Sequence, residues 1–157
     1  TLSNARVVSD TEFLLSAARE KSACTSGPVG CVGYCMSGQF VVSIGATHAN
    51  EFAAIASFYG VGIVTDADDS PHLKANEIKG ELYLAFASTD EWVPQSLLDT
   101  MPGIMESAGV NHRIEIYPDT EHGFAFPQRP AYVKLAAERH WERLFSLFDR
   151  RLRLPQK

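Results

Sequence analysis

Residues 28–40 read Pro28-Val29-Gly30-Cys31-Val32-Gly33-Tyr34-Cys35-Met36-Ser37-Gly38-Gln39-Phe40. This pattern predicts a short buried strand over residues 29–34, a tight turn at Cys35 and then a helix from the small and apolar residues within 36–49. A reactive side chain held at such a sharp strand-to-helix turn forms a nucleophile elbow. Small residues two before and two after it, Gly33 and Ser37, allow the helix to approach the strand.

Cys35 is the candidate nucleophile of this turn. A helix N-terminus carries a partial positive charge, which favours the thiolate form of a cysteine placed there. The N–H of Met36 would point to where an oxyanion develops, which makes it a candidate oxyanion-hole donor. Such elbows usually carry serine and end in glycine. These residues alone are therefore equally compatible with a buried strand that ends in a structural cysteine.

The composition indicates one domain over residues 1–157. The chain has 157 residues, 45% of them hydrophobic and 21% charged, which is ordinary for a globular protein with a sizeable core. A net charge of -5 argues against nucleic acid as a partner and against a basic membrane-binding face. No apolar stretch is long enough to span a bilayer. Three cysteines without a Cys-x-x-Cys pair favour a reducing, cytoplasmic location.

The hydrophobic pattern predicts strands and helices in alternation. Apolar residues at helical spacing, Phe13, Leu14, Ala17 and Ala18, predict a first helix capped by Asp10 or Thr11 after an irregular segment 1–9. Beyond the elbow we expect a buried strand at 52–59, a long loop at 60–80, a strand at 81–87, a helix at 94–108, an edge strand at 113–117, a loop at 118–130 and an amphipathic helix at 131–150. The buried stripe of that last helix should comprise Val133, Ala136, Ala137, His140, Trp141, Leu144, Leu147 and Phe148.

Alternating elements of this kind predict an α/β fold: a three-layer α/β/α sandwich around a mainly parallel sheet. Ligands bind beyond the carboxyl ends of strands in such sheets. Cys35, Asp90 and His122 each follow a predicted strand end, in the order nucleophile, acid, histidine that is typical of α/β-hydrolases. In that arrangement His122 exchanges a proton with Cys35 and the leaving group, and Asp90 fixes the imidazole tautomer.

Each of these residues also has a simpler interpretation. Asp90 alone is typical of a turn or helix cap, and Glu91 competes for the same catalytic role. His122 alone would be an ordinary loop histidine. Tyr59, Trp92 and Phe124 are candidate substrate-lining residues, although Trp92 and Phe124 could equally pack beneath the loops.

Metal or cofactor binding is not predicted from these residues. The remaining histidines lack metal-ligand spacing. The acidic cluster Asp66, Asp68 and Asp69 lacks the glycine and the downstream bidentate glutamate of a calcium loop, which favours a solvated loop.

The chain resembles the dienelactone hydrolase family. The resemblance is carried by Gly33-Tyr34-Cys35-Met36-Ser37-Gly38, Asp90-Glu91-Trp92-Val93-Pro94, Glu121-His122-Gly123-Phe124 and Ser57-Phe58-Tyr59-Gly60, and it extends over essentially the whole chain. It implies the α/β-hydrolase fold and hydrolysis of a small-molecule lactone or ester through a thioester intermediate. It also implies Cys35, Asp90 and His122 as the triad and no cofactor.

Two departures from the family limit this resemblance. The sequence begins where about the second half of a family member would begin, so the earlier strands, with a second oxyanion donor, a glutamate and an arginine, have no counterpart. The position four residues after the triad histidine, arginine in dienelactone-cleaving members, is Phe126. We therefore expect an N-terminally truncated domain that pairs with another copy or with the absent segment, or that is one piece of a longer protein. The alternative functions are a catalytically impaired fragment or pseudoenzyme that serves assembly or binding, and a hydrolase of other acyl substrates.

Overall fold

The computed structural model of the chain describes residues 2–24 and 26–153. The elements in chain order are α1 (Asn4–Arg19), β1 (Val29–Tyr34), α2 (Ser37–Thr47), β2 (Phe52–Phe58), a 3-10 helix (Pro71–Glu77), β3 (Glu81–Thr89), α3 (Gln95–Ser107), β4 (His112–Glu121) and α4 (Lys134–Leu152). Within the described ranges no helix is both long and apolar enough to cross a membrane.

The four strands form one parallel sheet in the order β1-β2-β3-β4. Because all strands run the same way, their carboxyl ends lie at one edge of the sheet. The residues that directly follow these ends, Cys35, Tyr59, Asp90 and His122, therefore share that edge. The predicted parallel sheet is confirmed.

Two hydrophobic cores lie on opposite faces of the sheet. One core packs α2, the 3-10 helix and α3 against β2 and β3, with Val7, Val8 and Leu15 of α1 at its margin. The other core packs α4 and the segment 124–126 against the opposite side of the same strands. Helices therefore cover both faces, which confirms the three-layer α/β/α architecture.

Two glutamates with largely covered side chains, Glu81 and Glu115, fix α4 to the sheet. Glu81 accepts hydrogen bonds from Arg150 and Arg151 at one end of the helix. Glu115 accepts hydrogen bonds from Arg139 and Arg143 nearer its start. Each of these glutamate side chains is only 10% exposed, so these pairs orient the helix more firmly than fully solvated pairs would.

The prediction for the first helix was wrong in its start. α1 begins at Asn4, where the Ser3 side chain accepts from the Arg6 N–H as an N-cap. Phe13 and Leu14 are 77% and 65% exposed. The apolar spacing predicted a helix here, but it does not show which side of the helix meets its neighbour.

Two later elements and one buried position also differ from the prediction. The loop at 60–80 contains the 3-10 helix Pro71–Glu77. β4 continues through residues 118–121 to Glu121, so that His122 directly follows a strand rather than lying inside a loop. In α4, Trp141 is 42% exposed and does not belong to the buried stripe.

Candidate active site

The turn at Cys35 has the backbone geometry of a nucleophile elbow. Cys35 has a φ of 55°, a left-handed conformation that non-glycine residues seldom adopt and that is concentrated at functional sites. Any Cβ at Gly33 would lie 2.4 Å from the Ser37 carbonyl oxygen, and any Cβ at Gly38 would lie 2.3 Å from the Gly60 Cα. The expectation that Gly33 must be small therefore holds, and Gly38 is a second position of this kind.

Ser37 does more than leave room for the helix. Its hydroxyl accepts from the Tyr34 N–H at 2.7 Å and donates to the Tyr34 carbonyl at 2.8 Å. These two hydrogen bonds close the turn around Cys35. A side chain without a hydroxyl would leave both Tyr34 backbone groups without these partners.

The backbone of Cys35 is tied to the end of β2. Its N–H donates to the Phe58 carbonyl at 3.2 Å, and its carbonyl accepts from the N–H groups of Gly38 and Val61 at 3.0 and 3.1 Å. The Cys35 N–H is therefore already engaged. Met36 immediately precedes α2, so its N–H belongs to the positive end of that helix and is suited to receive an oxyanion.

Asp90 and His122 form a hydrogen-bonded pair at this edge. His122 Nδ1 lies 2.8 Å from Asp90 Oδ2, and the Asp90 side chain is completely buried. The second oxygen, Oδ1, accepts from the Trp92 N–H at 2.9 Å. Because the carboxylate only accepts, Nδ1 carries the proton and Nε2 is left as the basic nitrogen. Glu91, the competing acid, is exposed.

His122 Nε2 is buried and has no hydrogen-bond partner among the described residues. The structure therefore brings Asp90 and His122 into direct contact and leaves Cys35 without a hydrogen bond to the imidazole. Tyr59 lies between the two parts of the site. Its ring meets the His122 ring edge-on at 5.1 Å and the Tyr34 ring at 5.8 Å.

The three candidate substrate-lining residues have different environments. Tyr59 is 2% exposed, and its hydroxyl has no partner in the described part of the chain. Phe124 is fully buried and stacks on Tyr117 at 4.8 Å, as a core residue would. Trp92 is 62% exposed at the outer rim. Phe124 thus packs beneath the loop, whereas Trp92 remains accessible.

A contact between Tyr34 and His140 links the elbow to α4, and sequence reasoning missed it. The Tyr34 hydroxyl lies 2.6 Å from His140 Nε2, and His140 Nδ1 donates to the Ala137 carbonyl at 3.1 Å. His140 is fully buried, and this burial lowers its pKa. The position of His140 in the predicted buried stripe of α4 indicated that it is buried, but the sequence did not indicate that its partner is Tyr34, 106 residues away.

The surroundings of the elbow include an apolar ring and a cavity. Phe126 packs its ring on Tyr34 at 5.0 Å between centroids. A cavity of about 410 Å³ is lined by Met36, Gln39, Gly62 and Thr65 among others. Cys31, by contrast, belongs to the opposite core, and burial raises the pKa of its thiol to about 12. In the described ranges no three metal-ligating side chains converge.

Comparison with known proteins identifies relatives by sequence. The dienelactone hydrolase family matches residues 1–152. A Synechocystis protein named carboxymethylenebutenolidase is 31% identical over 154 residues, which are 96% of this chain and 62% of the relative. A protein of the same name from Escherichia coli K12 is 26% identical over 119 residues, 74% of this chain and 44% of that protein. The chain thus spans less than two thirds of either relative.

Several solved structures have the same fold as this chain. A dienelactone hydrolase structure from Klebsiella pneumoniae superimposes with a TM-score of 0.84 at 22% identity, over 93% of this chain and 61% of the other. A dienelactone hydrolase-like promiscuous phosphotriesterase from metagenomic libraries gives a TM-score of 0.78 at 18% identity, over 95% of this chain and 63% of the other. At these identities the likeness establishes the α/β-hydrolase fold and nothing finer.

Proposed function

Because the chain belongs to the dienelactone hydrolase family, we propose that it hydrolyses a lactone or ester bond with Cys35 as nucleophile, His122 as base and acid, and Asp90 as the partner of His122. The observation that carries this proposal is the hydrogen bond between the buried Asp90 carboxylate and His122, at the same sheet edge as the strained turn of Cys35. A histidine held by a buried carboxylate and presenting a free Nε2 is the arrangement that activates a nucleophile.

In the proposed reaction, His122 Nε2 takes the thiol proton of Cys35. The sulfur attacks the carbonyl carbon, a carbon–sulfur bond forms, and an electron pair moves to the carbonyl oxygen. The Met36 N–H donates to this oxyanion. When the intermediate collapses, the bond to the alcohol oxygen breaks and His122 protonates that oxygen. Water then attacks the thioester with help from His122, which releases the acid and restores Cys35.

The proposed substrate is a small ester or lactone with an apolar part. Phe126 stands where the family members that open dienelactone carry an arginine, and its ring packs on Tyr34 beside the elbow. The mechanism uses no metal or cofactor.

Turnover of a chromogenic ester by matched cysteine variants tests the nucleophile. We expect Cys35→Ala to reduce kcat/KM to the background rate, because no other group in the proposed mechanism can form the thioester. Cys24→Ala is the control, because Cys24 is exposed and lies on the connection before β1, and it should retain wild-type turnover. Turnover by the wild type no faster than by Cys35→Ala would refute the hydrolase proposal for this chain.

We also propose an assembly role for the β1 side of the molecule. Val32 of β1 is 36% exposed, and Trp141 and Phe145 of α4 are 42% and 62% exposed. An exposed edge strand next to exposed aromatic rings favours association. The proposed partner is a second copy of this chain or the further segment that would complete the relatives' length. Multi-angle light scattering that finds a single monodisperse species of 17.3 kDa at micromolar concentration would contradict pairing between copies.

A further inference from the structure

We propose that the hydroxyl of Tyr59 is a hydrogen-bond donor to the substrate oxygen that becomes negatively charged when Cys35 attacks. This inference rests on the proposed function and adds a catalytic side chain to it. The Tyr59 residue is 2% exposed, and its hydroxyl is a buried polar atom without a partner in the described part of the chain. Buried hydroxyls are normally paired, so this one has an unfilled requirement for an acceptor.

The backbone holds Tyr59 beside the nucleophile. Hydrogen bonds from Cys35 to Phe58 and from Val61 to Cys35 clamp the two residues between, Tyr59 and Gly60, against the elbow. Tyr59 has a φ of 39°, in the left-handed region, and its N–H donates to the Ala85 carbonyl at 2.7 Å. Strain of this kind at a tyrosine persists only where several contacts impose it, and it is concentrated at active sites.

The close approach of backbones beside Tyr59 prevents it from relaxing away. Any Cβ at Gly60 would lie 2.1 Å from Ser57 Oγ and 2.9 Å from the Gly38 Cα. The residue after Tyr59 is therefore pressed against the first turn of α2. This contact joins the end of β2 to the helix that positions Cys35, so the phenol and the sulfur are held by the same piece of structure.

The environment of the phenol suits a donor near a developing negative charge. Burial is the main cause that raises the pKa of Tyr59, and the charges of Tyr34 and Cys35 raise it further, so the hydroxyl keeps its proton. Arg129, an exposed residue, acts in the opposite direction. The hydroxyl makes no hydrogen bond to the Cys35 Sγ, so it is available to an acceptor on the substrate.

The Tyr59 hydroxyl and the His122 Nε2 both lack a hydrogen-bond partner among the described residues, and their rings lie 5.1 Å apart. A carbonyl bound to Cys35 would introduce the missing acceptor for the hydroxyl, and an alcohol or water oxygen would introduce the partner for Nε2. The Met36 N–H supplies one donor to the oxyanion. Tyr59 would supply a second from within the described residues, and two donors are the usual complement of an oxyanion hole.

The test compares Tyr59→Phe with wild type in four measurements. We expect kcat for a chromogenic ester to fall about 10- to 100-fold with KM unchanged, because the lost hydrogen bond forms only in the transition state. A short-chain aldehyde, whose carbon bonds to Sγ and whose oxygen takes the oxyanion position, should bind more weakly by a similar factor. Alkylation of Cys35 by iodoacetamide creates no oxyanion and should proceed at the wild-type rate. The melting temperature should not decrease, because removing an unpaired buried hydroxyl costs the fold nothing.

Tyr117→Phe is the matched control. The Tyr117 hydroxyl is also buried, but it is hydrogen-bonded to the Tyr83 hydroxyl at 3.0 Å. This variant should lose thermal stability and keep wild-type kcat and aldehyde affinity.

Three outcomes would overturn the inference. Unchanged aldehyde affinity in Tyr59→Phe would exclude a contact with the oxyanion. A parallel decrease in the iodoacetamide rate would assign the hydroxyl to the sulfur instead, and a lower melting temperature would assign it to the fold. The aldehyde measurement needs no turnover, so it still decides the role of Tyr59 if the cysteine variants refute the hydrolase proposal.

Discussion

Replacing Gly38 with alanine should lower the free energy of unfolding, because the steric clash at the elbow costs more than the gain in helix propensity. Gly38 lies in the first turn of α2, where alanine is intrinsically favoured by about 1 kcal/mol. The added Cβ, however, would lie 2.3 Å from the Gly60 Cα and 2.5 Å from Ser57 Oγ, more than 0.8 Å inside the 3.4 Å at which ordinary contacts begin. The sign of the stability change therefore distinguishes the two effects.

The clash cannot be relieved cheaply. Gly60 offers only backbone at this point, and the residues on either side of the Tyr59–Gly60 segment are hydrogen-bonded to Cys35. Overpacking of this kind costs about 1–3 kcal/mol, and more when backbone must move. We expect a net loss of about 2 kcal/mol in the free energy of unfolding. In urea this lowers the transition midpoint by about 1 M.

Gly103→Ala is the control for the urea measurement. Gly103 lies inside α3, and a Cβ there would meet no heavy atom within 4 Å. This variant should gain about 0.5–1 kcal/mol. If Gly38→Ala were as stable as wild type or more stable, the close approach between α2 and the end of β2 would be wrong, and with it the placement of Cys35 and Tyr59.

Three further predictions concern charge and protonation. Asp90→Asn removes the carboxylate that fixes the imidazole tautomer, so kcat should fall about 10³- to 10⁴-fold with little change in circular dichroism; a decrease of less than about 10-fold would exclude Asp90 from the mechanism. Burial lowers the pKa of His140 below its ordinary 6.5, so the unfolded chain binds this proton more readily and the stability of the wild type should decline as the pH falls below about 6.5. The stability of His140→Gln, measured by urea titration, should decline less between about pH 6.5 and about pH 5. The same dependence of stability on pH in both proteins would contradict the burial argument. Burial opposes ionisation of Glu115, but hydrogen bonds from Tyr83 and two arginines outweigh it and lower the pKa to about 2 from 4.5. Glu115→Gln should therefore lose less stability than wild type as the pH falls from 4.5 towards 2. Equal losses would show that this carboxylate is not linked to folding.

The sequence predicted the architecture because its strongest signals are local. Short apolar runs that end in glycine or a polar turn specified the parallel strands, and the turns after them contained Cys35, Asp90 and His122. Asp90 could be paired with His122 in advance because strand ends of a parallel sheet meet at one edge. The contact between their side chains then required only the correct strand order.

The parts that the sequence could not predict depend on contacts between distant segments. Phe13 and Leu14 belong to the apolar spacing that predicted α1, but they are exposed and the other side of the helix faces α2. The continuation of β4 to Glu121 was hidden by Pro118, which suggests the end of a strand unless the strand lies at an edge. The strained backbone of Tyr59 follows from its clamp to Cys35 and has no signature in its own residues.

The central claim, that Cys35 forms a covalent acyl intermediate with help from His122, is tested most directly by trapping that intermediate. The chain is mixed with p-nitrophenyl acetate, quenched in acid and examined by intact-mass and peptide mass spectrometry. The account predicts one acetyl group on the peptide that contains Cys35 at stoichiometric level in wild type, and much slower acylation in His122→Ala. Rapid ester turnover with no acetyl group on Cys35, or with the label on Cys24 or Cys31 instead, would contradict it.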